Sequence, residues 1–139
     1  MKDVNKIYLT WYDFEEAASS IADKYRDQGL TKIIGISRGG LPLAVKMSNL
    51  LDIPMIPIIW QTRDGDIKEV DKLVELRGEV EHILFIDDIC DSGKTIEEIK
   101  KIIPTSRWVT WVEKKPNIVE RSVIPLNEDY SDWIVFPWE

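Results

Sequence analysis

The sequence predicts an α/β fold with a central, mostly parallel sheet flanked by helices. Short apolar runs bounded by turn residues, such as Lys32–Ser37 and His82–Ile86, are typical of strands buried in parallel sheets. Segments with apolar residues at helical spacing alternate with these runs, and the connections between them are short. Because strand–helix–strand order of this kind brings strands side by side in parallel, we expect helices on both faces of the sheet.

Length and composition predict one domain over residues 1–139. A chain of 139 residues can bury a sizeable core but is too short for two comfortable domains. Apolar residues make up 44% and charged residues 31%, which is ordinary for a folded globular protein. The net charge of −7 argues against a broad basic face, so we expect no nucleic-acid partner.

The rare residue types exclude several kinds of site. Cys90 is the only cysteine, which rules out an intramolecular disulfide and a cysteine-rich zinc site. His82 is the only histidine, so any histidine–cysteine metal cluster or Ser-His-Asp triad would have to contain it. The N-terminus has no apolar signal segment, and no apolar run approaches the length of a membrane span. We therefore expect a cytoplasmic protein without a membrane partner.

The first two helices have recognisable starts. Thr10 to Asp13 has the pattern of a capping box, and an apolar stripe at helical spacing follows it. Gly29 is well placed to end this helix in the left-handed region. Leu41–Leu51 is predicted as the next helix, because Pro42 would fall in its first turn, where proline is tolerated.

The middle of the chain is less regular. Met55–Trp60 is a strand candidate in which Pro57 indicates an edge position or a bulge. Arg63 to Asp66 is typical of a turn, and the charged segment from Lys72 to Arg77 is compatible with either a helix or a solvated loop.

Strands and helices alternate again in the second half of the chain. The strand at His82–Ile86 leads through a polar turn into a helix that Pro104 ends. Trp108–Val112 alternates like another strand, and after Pro116 we expect irregular structure up to the aromatic segment Trp133–Trp138.

Polar residues with a clear chemical character follow the strand at His82–Ile86. Three carboxylates, Asp87, Asp88 and Asp91, come first, and Ser92 to Thr95 then opens a helix. In open α/β sheets, ligands bind at the carboxyl ends of the strands. The helix N-terminus offers free N–H groups to a phosphate, while the carboxylates suit hydroxyl groups or a bound cation. A sugar phosphate satisfies both ends of this segment.

Two other interpretations of this segment are weaker. A nucleotide-binding P-loop needs glycine five positions before Gly93, and Asp88 stands there instead. The aspartates could also simply cap a helix, as a lone aspartate often does. A string of three carboxylates after a buried strand favours a ligand site instead.

The segment from Phe85 to Thr95 resembles the phosphoribosyl-pyrophosphate (PRPP) signature of the type I phosphoribosyltransferases, with Ser92 in place of the usual threonine. Ile33 to Leu41 resembles the pyrophosphate loop of that family. Within the family, Thr10-Trp11, Lys115-Pro116 and Trp133–Trp138 resemble the bacterial xanthine-guanine branch. The resemblance covers nearly the whole chain, and it implies the type I phosphoribosyltransferase fold with a small C-terminal hood that binds the base.

The resemblance also implies an activity. A purine salvage transferase of this kind, a glycosyltransferase of the pentosyltransferase class, moves 5-phosphoribosyl from PRPP to guanine, xanthine or hypoxanthine and releases pyrophosphate. Asp87 and Asp88 would bind the ribose hydroxyls, and Asp88 would help hold Mg²⁺ through water. The residues matched to the 5′-phosphate are Asp91, Ser92, Gly93, Lys94 and Thr95. Those matched to pyrophosphate are Ser37, Arg38 and Gly39, with the peptide bond before Arg38 often cis in the family.

The base would be held from several sides. Asp91 is the candidate acid/base group near purine N7. Lys115 matches the lysine that contacts the 6-oxo group, and its neighbour Lys114 is the alternative. Trp133 would stack on the purine, and Ile134 would offer backbone groups to its 2-position. Arg63 or Lys68 is matched only weakly to a loop that touches pyrophosphate.

Two alternatives to this function stay open. A protein of the same fold could sense PRPP or nucleotides without turnover, or it could transfer the phosphoribosyl group to another base. The family also implies a homodimer or homotetramer. Four tryptophans that look exposed in the sequence, Trp11, Trp60, Trp108 and Trp111, are compatible with such an interface.

Overall fold

A computed structural model describes residues 5–61, 67–126 and 132–139. These residues form a five-stranded sheet and a separate two-stranded sheet, with helices between the strands. The elements in chain order are β1 (Lys6–Tyr8), α1 (Trp11–Tyr25), β2 (Lys32–Ser37), α2 (Leu41–Leu51), β3 (Met55–Ile59), α3 (Val70–Glu75), a 3₁₀ helix (Arg77–His82), β4 (Ile83–Cys90), α4 (Lys94–Ile102), β5 (Arg107–Glu113), β6 (Arg121–Pro125) and β7 (Trp133–Val135). Within these ranges, no helix combines the length and the apolar character that a bilayer crossing requires.

The larger sheet has the strand order β3-β2-β4-β5-β6, and every pair in it is parallel. The chain moves outward from β2 to β3 and in the opposite direction from β4 to β6. The gap between the ends of β2 and β4 is therefore the switch point where ligands bind in such sheets.

Apolar side chains cover both faces of the sheet, as the sequence predicts. Along β4, Leu84 and Ile86 join the core beneath α1 and α2, whereas Ile83 and Phe85 join the core beneath α3 and α4. Successive strand residues point to opposite faces, so one buried strand supplies both cores. The predicted α/β architecture with helices on both faces is confirmed.

The helix starts also agree with the sequence. The Asp13 N–H donates to Thr10 Oγ1 at 3.1 Å and the Thr10 N–H donates to Asp13 Oδ2 at 2.9 Å, which completes the capping box of α1. Pro42 lies in the first turn of α2. Gly29 has the expected positive φ of 71°, although α1 ends at Tyr25 and the glycine belongs to the turn that follows.

The structure decides between the alternatives that the sequence left open for the middle of the chain. β3 is an edge strand, which confirms the edge position that Pro57 indicates. The charged segment forms α3 and the 3₁₀ helix, and Leu73 and Leu76 anchor it to the core. His82 ends the 3₁₀ helix, so β4 starts one residue later than predicted and runs on to Cys90. The turn predicted at 63–66 lies outside the described residues.

Three strands, β1, β6 and β7, were not predicted. β6 lies in the stretch after Pro116 that was expected to be irregular, and it completes the far side of the sheet beside β5. β1 pairs in parallel with β7, so that Lys6 is opposite Trp133 and Tyr8 is opposite Val135. These strands are short, and their partners decide their structure more than their own residues do.

The expectation of four exposed tryptophans was wrong for three of them. Trp60, Trp108 and Trp111 are buried, and only Trp11 is exposed, with 54% of its surface open to solvent. β5 is covered on both faces, so its tryptophans enter both cores instead of facing an interface. Trp108 stacks on Phe85 with ring centroids 5.0 Å apart, on the side of α4.

Candidate active site

An acidic pair lies at the carboxyl end of β4. Asp87 and Asp88 are half-buried, and each accepts a backbone hydrogen bond from the residue that follows it, at 2.9 and 2.8 Å. Burial, and then the negative charge of Asp88, raises the pKa of Asp87 well above its usual range. Burial also raises the pKa of Asp88. The pair is therefore suited to share a proton, to accept hydroxyl hydrogens or to approach a cation.

The loop after β2 lies directly against this pair. The peptide bond between Ser37 and Arg38 is cis, as the family resemblance implied. A Cβ added at Gly39 would overlap the Asp88 carboxylate, and one added at Gly40 would lie 2.5 Å from a carbonyl oxygen of β4. Two glycines are needed here because the loop backbone touches β4, and the Arg38 side chain stays exposed at the switch point.

A tight turn joins β4 to α4. Gly93 is buried with φ at +82°, a backbone conformation that favours glycine, and it caps the helix. The Lys94 N–H donates to Ser92 Oγ at 3.3 Å, and Asp91 and Ser92 are exposed beside it. The first N–H groups of an α-helix have no partner within the helix, and its dipole favours an anion there. This turn has the properties of a phosphate site.

A cavity of about 560 Å³ connects the acidic pair and the turn with the C-terminal residues. Its size is within the range of about 300 to 1,000 Å³ that is usual for small-molecule sites. The described residues that line it are Asp87, Asp88, Ile89, Cys90, Asp91, Ser92, Gly93, Lys94, Thr95, Ile96, Lys114, Asp132, Trp133, Ile134, Phe136 and Glu139. The cavity thus brings together the residues matched to ribose, the 5′-phosphate and the purine ring, whereas Ser37 to Gly39 lie beside it.

The two candidate lysines at the end of β5 point in different directions. Lys114 lines the cavity, and its Nζ lies 3.3 Å from Asp91 Oδ1. Lys115 instead pairs with Glu97 on α4, with Nζ 3.5 Å from Oε1. Because neighbouring residues that leave a strand point to opposite sides, a shift of one residue decides which lysine reaches the cavity. The geometry favours Lys114 over Lys115.

The hood over the cavity is built from both ends of the described chain. Trp133 starts β7, and its N–H donates to the Asn5 carbonyl at 2.8 Å, while its side chain remains 59% exposed. Ile134 is buried next to it. The Phe136 N–H donates to Glu139 Oε1 at 2.9 Å, so the final turn folds back and places a carboxylate in the cavity wall.

Sequence reasoning missed several of the lining residues. Asp132, Phe136 and Glu139 adjoin the predicted purine contacts but were not predicted as site residues, because only the folded-back hood brings them to the cavity. Cys90 also lines it, and burial, followed by the charge of Glu113, raises the pKa of its thiol to about 11. These surroundings disfavour the thiolate, which is the reactive form of cysteine.

Lys68 lies elsewhere. Its Nζ is 2.9 Å from Glu98 Oε2 on α4, and the same carboxylate oxygen accepts the Trp60 indole N–H at 3.1 Å. Lys68, which was weakly matched to pyrophosphate, therefore forms an ion pair with Glu98 instead. Arg63, the other candidate for that role, lies outside the described residues.

The acidic pair fits a magnesium ion that is only partly held by protein. In the described part of the chain, no group of three or more histidine, cysteine, aspartate or glutamate side chains could hold a metal ion. Mg²⁺ commonly takes one or two carboxylates and completes its shell with water and substrate phosphates. Asp87 and Asp88 provide oxygen donors of this kind, and their raised pKa values indicate that a positive charge would stabilise the ionised pair.

Comparisons with known proteins agree with this geometry. Residues 5–106 match the family model described as "Phosphoribosyl transferase domain". The xanthine-guanine phosphoribosyltransferase of Desulfotalea psychrophila is 33% identical over 141 residues, which cover 94% of this chain and 84% of that protein. The enzyme of the same name from Cereibacter sphaeroides is 30% identical over 146 residues, with 95% and 86% covered.

A solved structure supports the same assignment. The crystal structure of the purine phosphoribosyltransferase from Pyrococcus horikoshii is 30% identical and superposes with a TM-score of 0.74, covering 96% of this chain and 94% of that one. The predicted type I phosphoribosyltransferase fold is confirmed by this likeness and by the five-stranded parallel sheet. The acidic pair and the turn from Asp91 to Lys94, called the phosphate turn below, lie around one cavity. The chain therefore belongs to the phosphoribosyl transferase domain family.

Proposed function

We propose that this protein is a purine salvage phosphoribosyltransferase that transfers 5-phosphoribosyl from PRPP to a 6-oxopurine. The products are the nucleoside monophosphate and pyrophosphate. One observation carries the proposal: a single cavity joins the acidic pair and the phosphate turn to Lys114 and Trp133. The relatives named xanthine-guanine and purine phosphoribosyltransferases support the same substrate class.

The donor would lie along the carboxyl end of β4. The ribose hydroxyls would donate to Asp87 and Asp88, and the 5′-phosphate would accept from the N–H groups at the start of α4. Ser92 and Thr95 add hydroxyl donors on either side of Gly93. The pyrophosphate group would then lie toward Arg38, since the loop after β2 lies against Asp88.

Magnesium would be held at Asp88, with Asp87 beside it, through water and donor oxygens. When bound, it would neutralise charge on the pyrophosphate group as that group leaves. Without such a cation, the acidic pair would repel the negatively charged donor, because both residues line the cavity.

The purine would be recognised by its 6-oxo group and its ring face. We assign the 6-oxo contact to Lys114, since its ammonium lines the cavity and can donate to an oxygen. A 6-amino purine would present donors to this ammonium, so adenine is disfavoured. Trp133 would stack on the ring, and the backbone at Ile134 would face the 2-position.

In the reaction, the bond from ribose C1 to the pyrophosphate oxygen breaks and a bond to a purine nitrogen forms. The transition state carries positive charge on the ribose, so correct orientation of the base and stabilisation of the leaving group lower the barrier. The imidazole ring of the purine loses a proton, and we assign Asp91 as the group that accepts this proton or orients the base. Lys114 lies 3.3 Å from Asp91 and would keep this carboxylate beside the base.

A panel of bases tests the proposal. The protein is mixed with PRPP, Mg²⁺ and one base at a time, and ultraviolet absorbance follows nucleotide formation. We expect turnover with guanine, xanthine or hypoxanthine and little with adenine, uracil or orotate. Preferred turnover of one of the latter bases would contradict the base assignment. Measurable PRPP binding without turnover of any base would identify a sensor of the same fold.

A further inference from the structure

The loop between β5 and β6, residues 114–120, is tied to the end of β4. It begins with Lys114, the lysine that lines the cavity. The N–H groups of Lys114 and Lys115 both donate to the Cys90 carbonyl, at 2.8 and 3.4 Å. The start of this β5–β6 loop therefore moves with the strand end that leads into the phosphate turn.

The same loop is fastened to α4, the helix whose N-terminus forms the phosphate turn. The Lys100 ammonium donates to the Ile118 carbonyl at 3.3 Å. The Lys115 ammonium pairs with Glu97 at 3.5 Å. Lys100 and Glu97 lie three residues apart on α4, so these two contacts hold the loop along one face of the helix.

A third contact reaches the phosphate turn itself. The side chain of Ile118 occupies the position where a Cβ of residue 93 would lie, and its Cδ1 is the atom nearest to that position. The next neighbour is Glu97 Oε1 at 3.7 Å, and Gly93 is buried beneath these groups. The place of the turn therefore depends on Ile118, the half-buried apolar residue in the middle of the loop.

We infer that Ile118 is a positioning residue that couples donor binding to purine binding. The inference rests on the proposed function, since it takes the phosphate turn as the donor site and Lys114 as a purine contact. A ligand that restrains Gly93 also restrains Ile118, and through it the loop that carries Lys114. A second ligand then loses less conformational freedom on binding, which is positive coupling between the two sites.

Guanine binding with and without ribose 5-phosphate measures this coupling. Ribose 5-phosphate carries the ribose and phosphate of the donor but no pyrophosphate, so no transfer can occur. Titration calorimetry on the whole protein gives the Kd of guanine in each case. In the wild type we expect saturating ribose 5-phosphate to tighten guanine binding by about fivefold or more, the lower end of typical coupling. The reverse titration must give the same factor.

Two changes at Ile118 remove the contact in steps. Ile118→Val deletes Cδ1 and keeps the branched side chain, and Ile118→Ala removes most of the contact. We expect the coupling factor to fall in Ile118→Val and to drop to about twofold or less in Ile118→Ala, while each ligand still binds alone. Lys100→Met removes the hydrogen bond to the Ile118 carbonyl and should lower the factor as well.

Val119→Ala is the matched control. Val119 is the next residue of the loop and is half-buried against the same core, but a Cβ added at residue 93 would meet atoms of Ile118 and Glu97 first. Its truncation should leave the coupling factor at the wild-type value. Thermal unfolding of every variant shows whether the fold is intact, and Ile118→Val provides the test if Ile118→Ala does not fold.

The outcomes separate this inference from the proposed function. A coupling factor near one in the wild type, or a factor unchanged in both Ile118 variants, would overturn the inference and leave the function standing. An equal loss in Val119→Ala would also overturn it, since general loosening of the loop would then be the cause. A wild-type protein that neither binds these ligands nor turns over any 6-oxopurine would overturn the proposed function itself.

Discussion

The five-stranded sheet has a carboxyl edge, where its strands end, and an amino edge, where its strands start. Carboxylates at these two edges have opposite pKa shifts. At the carboxyl edge, Asp87 and Asp88 are adjacent like charges, and burial raises the pKa of both. At the amino edge, Glu120 accepts the Tyr25 hydroxyl at 2.6 Å and pairs with Arg107 at 3.2 Å. Although burial opposes it, hydrogen bonds from Tyr25 and Arg107 lower the pKa of Glu120.

At the amino edge, protein groups supply the partners of Glu120 and Arg107. Arg107 also donates to Gln28 Oε1 at 2.6 Å, and its guanidinium lies 5.6 Å from the centroid of the Tyr25 ring. These contacts tie the end of α1 and the turn after it to the starts of β5 and β6. Among the described residues, only backbone N–H groups donate to Asp87 and Asp88 and no cationic side chain pairs with them, so ligand groups must supply the positive charge. The comparison teaches that one edge stabilises the fold and the other gives up stability for binding.

The largest expected effect is on Asp88. We expect Asp88→Asn to lower kcat/KM by about a hundredfold, the size of a lost electrostatic contact to the transition state. The same change should keep or raise the free energy of unfolding at neutral pH, because it removes one of two adjacent carboxylates that are half-buried. Steady-state kinetics and urea unfolding measure both quantities. A destabilised Asp88→Asn would contradict the comparison between the two edges.

The same acidic pair sets the direction in which its contribution to the free energy of unfolding changes with pH. A raised pKa in the folded state means that folded Asp87 holds its proton above the unfolded pKa of about 4. Between these two pKa values the folded state binds more protons, so the contribution of the pair to stability falls as pH rises. Asp88→Asn should weaken this fall, which unfolding curves across that pH window would show.

Asp91 is expected to affect turnover without affecting the fold. Its side chain is 65% exposed, so Asp91→Asn should leave the unfolding temperature close to that of the wild type. We expect kcat to fall by at least about tenfold, because acid/base groups contribute that much or more. An unchanged kcat would remove Asp91 from the catalytic residues.

A matched pair of glycine changes tests the close packing of the loop after β2. Gly39→Ala places a Cβ on the Asp88 carboxylate, so we expect kcat/KM for PRPP to fall by about tenfold, or about 1.4 kcal/mol. Gly78→Ala is the control, since nothing lies within 4 Å of its added Cβ. Equal effects of the two changes would mean that the contact at Asp88 is unimportant.

The two lysines after β5 provide a second matched pair. Lys114→Met should raise KM for guanine by about fivefold to tenfold and weaken the preference over adenine, since one charged hydrogen bond is lost. Lys115→Met removes an exposed ion pair with Glu97 and should change KM much less. The opposite ranking would return the 6-oxo contact to Lys115.

The smallest expected effect is at the amino edge. Glu120→Gln should lower the free energy of unfolding by about 1 kcal/mol or less, because Glu120 is partly exposed and water screens the pair. Its folded pKa is lowered, so its contribution is present above the unfolded pKa of about 4.3 and is lost as pH falls through the folded value. Kinetic constants should be unchanged, because Glu120 is not among the residues that line the cavity. A clear loss of activity would contradict the division between the two edges.

The sequence alone determined the features that depend on neighbouring residues. The capping box at Thr10, the buried strand before Asp87 and the turn at Gly93 are all contained in short stretches, so each can be recognised without the rest of the chain. The edge position of β3 is similar, because Pro57 cannot donate a hydrogen bond in the interior of a sheet. The fold class follows from the repetition of such local patterns.

The tertiary structure decided what depends on distant partners or on a single residue of register. β1 is a strand because β7, from the other end of the chain, lies beside it, and Glu139 lines the cavity because the hood folds back. Lys114 reaches Asp91 while Lys115 reaches Glu97, since adjacent side chains leave a strand in opposite directions. Trp111 is buried because helices cover both faces of β5, and no property of the tryptophan itself reveals that cover.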